Sequence, residues 1–346
     1  MEKIFTEDDL IYIQNRGNSI DKIQQQLDFF IQGIPKINLV RSAKVGDGIW
    51  QFSEEDTTVF VNYFDKHKLN YSIEKFVPAS GAATRMFKFL NEFLNEFDAE
   101  NDTINSYINK RNAKDISIFI FGLKNFPFYR ELKEKTIQLY PNYYSLSSDA
   151  KYHALIKTLL SKEGLDFANK PKGILPFHVR DEKIITPIEE NIFESDFFKK
   201  ENQKTKIHFT ITEEFQPDFE KITNQFSDCE ISFSYQNQST DTLAVNEDNT
   251  PFRIEGNKLF FRPGGHGALI DNLNALQSDI IYIKNIDNVS QNHRKVIETN
   301  KKLLGGVLFF VQYKIFNYLK LLSNGNVTEA QINEIKDFAE NKTAFP

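Results

Sequence analysis

Apolar positions in the first seventy residues recur with a helical period. In "NSIDKIQQQLDFFIQG", Ile20, Ile23, Leu27 and Phe30 share one face, and Gly33 ends the run. "FTEDDLIYIQ" offers Thr6 as an N-cap ahead of a first turn of acids, and "FSEEDTTVFVNYFDKH" repeats the pattern from Ser53. A first strand reads from about Ser72 to Val77, followed by the small residues "ASGAA" and a helix through "TRMFKFLNEFLNEF". Residues 100–168 return to helical periodicity, as in "RELKEKTIQLY". The run "ISIFIFGL" (116–123) fits a strand or a buried helix equally well. After Pro171 the texture changes. Short runs rich in β-formers, "KIHFTITEE" (206–214), "EISFSYQ" (230–236) and "SDIIYIKNID" (278–287), alternate with helical stretches at about 189–200, 213–226 and 267–277. That alternation predicts an α/β fold with a mainly parallel sheet. A long helix is expected from about Gln291 to Leu322, then a last one capped by Thr328. The reading divides the chain into a helical segment over 1–70, an α/β domain over 71–290 with a helical insert at about 88–168, and a helical segment over 291–346.

Composition narrows the function classes. The 346 residues are 40% hydrophobic, enough for one large or two modest domains, and 33 Phe against one Trp predict a Phe-rich core. A net charge of −6 argues against a general nucleic-acid binder but leaves room for a local basic pocket. The single cysteine, Cys229, rules out a disulfide framework and reads as packing. The acidic start "MEKIFTEDDLIYIQ" lacks a signal-peptide layout, so a cytoplasmic setting is expected. "LLGGVLFFVQYKIFNYLKLL" is broken by Gln312 and Lys314, so it reads as a buried helix and not a membrane span. Its Gly305-Gly306 pair suits close helix packing. Neither nucleic acid nor membrane is an expected partner, and the sequence leaves the oligomeric state open.

Four segments carry the chemistry, each with a plainer alternative. In "ASGAATR", Ser80, Gly81, Ala82, Ala83 and Thr84 would let a phosphate reach main-chain N–H groups. The following helix start and Arg85 would add positive charge. A tight strand-to-helix turn explains the same residues. In "NKPKGILPF" (169–177), two prolines and Gly173 hold Lys172 on a stiff loop, as a phosphate ligand or as an ordinary exposed lysine. In "FFRPGGHGALIDNL" (260–273), Pro263, Gly264, Gly265 and Gly267 form a loop that could lie flat against a ring, with His266 beside it, structural or in contact with a ligand. In "IIYIKNIDNVS" (280–290), Asp287-Asn288 end a strand where a carboxylate would hold Mg²⁺ or simply cap a turn.

Taken in order, these segments resemble the sugar-1-phosphate nucleotidyltransferases, the sugar-nucleotide pyrophosphorylases. That family's G-x-G-T-R-[ML] loop is met by Gly81-Ala82-Ala83-Thr84-Arg85-Met86, with Ala83 in place of the second glycine. Its P-K element is met by Pro171-Lys172-Gly173-Ile174-Leu175-Pro176, and its P-x-G-[NH]-G loop by Pro263-Gly264-Gly265-His266-Gly267, with Ala268 where some members have glycine. "SFSYQ" ends at Gln236, placed like a base-reading glutamine, and Asp287-Asn288 are similar to the metal-binding V-D-N. "PASGAATRM" and "GGHGAL" also resemble stretches of a bacterial family of unknown function.

The resemblance covers about residues 72–290 and implies a Rossmann-like, GT-A-like fold with Mg²⁺ as cofactor. Its implied substrates are a nucleoside triphosphate, UTP favoured, and a sugar phosphate. Arg85 and Lys172 would be catalytic and Asp287 the metal ligand. Ser80 to Thr84, Gln236, Gly265, His266 and Gly267 would hold the nucleotide, with Asn288 on the sugar side. Two departures stand out. The long Phe-rich insert over 86–171, a lid or a separate helical layer, replaces a short spacer, and no clear strands follow Asp287. With Ala83 and Ala268, the second departure also fits a catalytically silent nucleotide-binding protein. The six histidines show no close pairing for zinc, and no G-x-x-x-x-G-K-[ST] loop is present.

Overall fold

Strands β1 (Ile73–Pro78), β2 (Thr205–Ile211), β3 (Cys229–Tyr235) and β4 (Ile280–Ile283) form an all-parallel sheet in the order β4–β1–β2–β3 in the computed structural model. The structure describes residues 4–81, 83–99 and 101–341. All six residues of β1 are buried, as expected for a strand with neighbours on both edges and layers on both faces. Its two charged residues are each satisfied. Glu74 accepts a hydrogen bond from the Ser278 hydroxyl at 2.8 Å, and the Lys75 ammonium donates to the Asn191 carbonyl and to Glu194, both at 2.8 Å.

One sheet face carries Val77, Ile207, Phe209 and Ile211. It packs on Ile188 and Ile192 of one helix (Pro187–Glu194) and Phe219 of another (Gln216–Thr223). The other face carries His208 of β2, whose ring nitrogens each lie 2.7 Å from a β3 hydroxyl, Ser232 and Ser234. Burial lowers the His208 pKa.

Helices and short two-stranded pairs account for most of the remaining described structure. The first two, α1 (Glu7–Asn15) and α2 (Ile20–Gln32), pack Ile13, Ile23 and Leu27 on Leu243, Leu259 and Phe261. Thr6, Ser53 and Thr328 cap helices as their sequence positions predict, and Gly33 ends α2 at φ 81°. The expectation of a helical 1–70 fails over residues 34–52. There the chain forms only two-residue strands, Lys44–Val45 and Gly48–Ile49, because its apolar residues lack helical spacing and a proline interrupts them.

Helix α3 (Glu54–His67) pairs with the 30-residue helix Arg294–Ser323 across the β1 and β4 side of the sheet. A Cβ on Gly306 would lie 2.0 Å from the Phe60 carbonyl oxygen, and one on Gly305 would lie 2.6 Å from the Phe64 ring, so this glycine pair sets the approach of the two helices. The insert contributes five helices, α4 (Lys88–Glu96), α5 (Ile104–Arg111), α6 (Lys114–Gly122), α7 (Tyr129–Leu139) and α8 (Ser148–Leu160). They enclose a separate core that includes Phe93, Phe128, Leu132 and Leu159. The ambiguous run at 116–123 is therefore mostly helix α6. Among the described residues no helix is long and apolar enough to cross a membrane.

Candidate functional site

In the order β4–β1–β2–β3, the chain leaves β1 toward β2 and returns on the far side of β1 as β4. The loops that follow β1 and β4 therefore diverge, leaving a crevice beyond the carboxyl ends of these strands, where open α/β sheets collect ligands. A cleft of about 410 Å³ lies there, within the size range of small-molecule pockets. Its described lining includes Ser80, Gly81, Thr84 and Arg85 after β1, Lys172, Gln236 after β3, Gly264 and Gly265, and Asp287 after β4. Segments as far apart in sequence as Ser80 and Asp287 thus share one cavity. Pro78, Leu269 and Ile286 supply apolar wall.

The loop after β1 is anchored on both sides. The Thr212 hydroxyl donates to the Ser80 carbonyl at 3.3 Å, and the Lys172 N–H donates to the Gly81 carbonyl at 3.2 Å. The N–H groups of Ser80 and Gly81 find no acceptor among the described residues. A Cβ on Gly81 would meet nothing within 4 Å, so no protein contact demands a glycine there; its bareness leaves the main chain open to the cleft. Arg85 is exposed and makes no hydrogen bond or ion pair with another described residue.

Lys172 sits in a one-turn 3-10 helix (Lys172–Ile174) whose Gly173 is buried against Ile188 and Ile286. This packing brings its ammonium to 2.7 Å from Asp287 Oδ2. Both side chains keep contact with solvent, at 22% and 47% exposure, so an incoming ligand can reach the pair. Gln236 donates its Nε2 hydrogen to Asp241 Oδ1 at 3.2 Å, and Arg16, just past the end of α1, holds the other oxygen of Asp241 at 2.5 Å. A carboxylate only accepts, so this bond fixes which end of the Gln236 amide is the donor and leaves its oxygen free to accept. Gly264 is required by packing, since a Cβ there would come within 2.8 Å of Ala268.

Several sequence expectations change. The Gly81 loop does not run straight into a long helix. Ala83–Arg85 form a single 3-10 turn, and α4 begins at Lys88 without a side-chain cap. The helix-dipole contribution expected at this loop is therefore missing. Ala83 is fully buried in the insert's core, and its N–H donates to the Lys170 carbonyl at 3.4 Å, so it does not face the cleft. Ala82 lies outside the described residues, as does the side chain of His266. Gly267 and Asn288 are exposed but are not among the described residues lining the cleft. Asp241 and Arg16 escape sequence reasoning altogether, because their pairing joins positions 225 apart with no local pattern.

No group of three or more His, Cys, Asp or Glu among the described residues could hold a metal ion. Asp287 is the one carboxylate among the cleft's described lining residues, and its Oδ1 accepts no hydrogen bond from another described residue. A donor set of one carboxylate fits Mg²⁺ that arrives on phosphates and keeps most of its waters.

The fold and cleft define an α/β protein with a cation-lined cleft at the switch point of a parallel sheet. The chain belongs to the family described as Domain of unknown function (DUF4301), whose model matches residues 6–345. No curated protein and no solved structure matches it.

Proposed function

We propose that the cleft binds a nucleoside triphosphate with Mg²⁺, UTP favoured, and transfers its nucleotidyl group to a sugar-1-phosphate, on a Rossmann-like scaffold of the GT-A kind. The observation that carries this reading is the convergence of Arg85, Lys172, Asp287 and the bare main chain at Ser80-Gly81 on one cavity. Two cations and two free N–H groups form a surface for phosphate oxygens in a chain whose net charge is −6.

In this reading an oxygen of the sugar phosphate attacks the α-phosphorus of the triphosphate in line. The bond from the α-phosphorus to the bridging oxygen breaks, and pyrophosphate leaves with that electron pair. No protein nucleophile is consumed. Ser80 and Gly81 hold the β- and γ-phosphates together with Arg85, and Lys172 turns from Asp287 to the α-phosphate, where charge builds in the transition state. Asp287, released from Lys172, would hold Mg²⁺, which neutralises phosphate charge and assists pyrophosphate as leaving group. The free oxygen of Gln236 would accept a hydrogen bond from the ring N3–H of uracil, a position where cytosine carries only an acceptor nitrogen. This supports UTP.

A second reading is a silent nucleotide-binding protein. It is favoured by the single carboxylate at the cleft and by the engagement of the Ala83 N–H in the core. Thermal-shift titration with UTP and Mg²⁺, paired with a pyrophosphate-release assay across sugar-1-phosphates, separates the two. A shift with release supports transfer, and a shift without release supports the binder. No shift with any nucleoside triphosphate defeats both.

A further inference from the structure

Helix Arg294–Ser323 is apolar on two opposite faces. One face packs Leu303, Gly306, Val307 and Phe310 against α3. The other presents Leu304, Leu308, Ile315, Leu319 and Leu322, each 41–64% exposed and spaced so that they form one stripe five turns long. Between residues 303 and 319 the only charged side chain is Lys314, and it is tied to Glu334 of the last helix at 3.2 Å. A helix that is apolar all round belongs in an interior, yet among the described residues nothing covers the Leu304–Leu322 stripe.

The arm between α2 and α3 shows the same imbalance. Ile34, Ile37, Leu39 and Val40 are 81–90% exposed. The arm's end is continuous with the stripe's helix, because Phe52 packs on Phe60 and the Leu303–Phe310 cluster. The accessible surface of the chain is 22185 Å². A folded monomer of 40.3 kDa should expose about 14,500 Å². The excess, roughly 7,700 Å², is more than nine times the roughly 800 Å² per partner that a stable pair buries.

We propose that the occupant of this surface is a second copy of the same chain. The two Leu304–Leu322 stripes would pack on each other about a two-fold axis, with each arm laid over its partner. A stripe on a single helix is self-complementary under such an axis. Its lack of charge matches the apolar interiors of obligate dimers, whereas steering toward a different protein or an anionic membrane calls for a charged surround.

Sedimentation velocity on the intact chain from about 0.5 to 50 µM tests the proposal. The expected mass is twice 40.3 kDa throughout. The Leu308→Glu, Ile315→Glu double variant should sediment as a monomer with unchanged far-ultraviolet circular dichroism. Phe121→Glu, at a 91% exposed position on α6, should remain dimeric. A monomeric wild type across the range overturns the proposal, and so does a double variant that stays dimeric. A wild-type monomer that floats with anionic phosphatidylserine vesicles would overturn it in favour of a lipid surface. Because the wild-type measurement alone is decisive, misfolding of the double variant would not shield the idea.

Discussion

Lys172 and Asp287, 115 residues apart in sequence, form an ion pair at 2.7 Å inside the cleft. Each is therefore the other's placeholder. In the proposed reading the carboxylate neutralises the lysine before phosphate binds, and it repels phosphate until Mg²⁺ intervenes. Asp287→Asn should bind UTP more tightly than wild type in EDTA, because the repulsion is gone and Lys172 is free. In Mg²⁺ its turnover should fall about 10²- to 10³-fold. Calorimetry and pyrophosphate release measure the two arms, and weaker binding in EDTA would count against the assigned roles.

Arg85→Ala should lose turnover by about 10²- to 10³-fold, the cost of removing one donor from an electrostatic site. Its melting temperature should not change, since Arg85 bonds to no other described residue. Near-wild-type turnover would remove Arg85 from the mechanism.

Gln236→Leu should erase base preference without harming phosphate contacts. Loss of one hydrogen bond costs about 1 kcal/mol, so discrimination between UTP and CTP should drop several-fold while tripolyphosphate binds as before. Competition titrations read both. An unchanged preference would exclude Gln236 as the base reader.

Gly306→Ala should destabilise the fold although alanine favours helix by about 1 kcal/mol. The new methyl would sit 2.0 Å from the Phe60 carbonyl, which cannot rotate away, so α3 and its partner helix must separate. A net loss near the upper end of the roughly 1–3 kcal/mol typical of overpacking is expected in urea unfolding. A stabilised variant would mean that the helices are not in close contact.

Acid should weaken the protein in two steps. His208, His153 and His178 are buried enough that each pKa is lowered from 6.5. The unfolded chain therefore takes up these protons first, and stability falls as pH drops below about 6.5. His208→Phe keeps a ring stacked on Phe76 but removes one of the three proton sites, so it should flatten that slope by up to about a third. A second loss comes from Glu194. Burial opposes its ionisation, but the charges of Lys75 and Lys301 and their hydrogen bonds outweigh this and hold its carboxyl at about 2. Its contribution is present above 4.5 and is lost as pH falls from there toward 2. Urea midpoints between pH 8 and pH 3 record both steps, and a flat profile would contradict them.

What the sequence discloses depends on how local the cause is. β1 is legible because the apolar Phe76-Val77-Pro78 runs directly into small residues, even though Glu74 and Lys75 stand before it. The caps at Thr6 and Ser53 are legible because a hydroxyl bonds an N–H three residues on. α6 is not, since its short apolar run lacks the alternation that separates strand from helix. The turn after Gly81 misleads for a related reason. The amphipathic period behind it is real, but the helix starts only where Ala83 and Phe87 have entered the insert's core. The meeting of Lys172 with Asp287 can be anticipated from the rule that strand ends collect ligands. The hold of Arg16 on Asp241 cannot, because nothing near either residue marks it.

The five-helix insert leaves the sheet at Gly81 and returns at Lys172, and these two points are joined by a main-chain hydrogen bond of 3.2 Å. The intervening chain therefore works as a tether whose two stems are stapled together. Its length contributes nothing to the separation of the loop after β1 from the lysine. Shortening or enlarging the helical block changes what hangs beside the cleft and leaves the distance between its two cationic walls as it was.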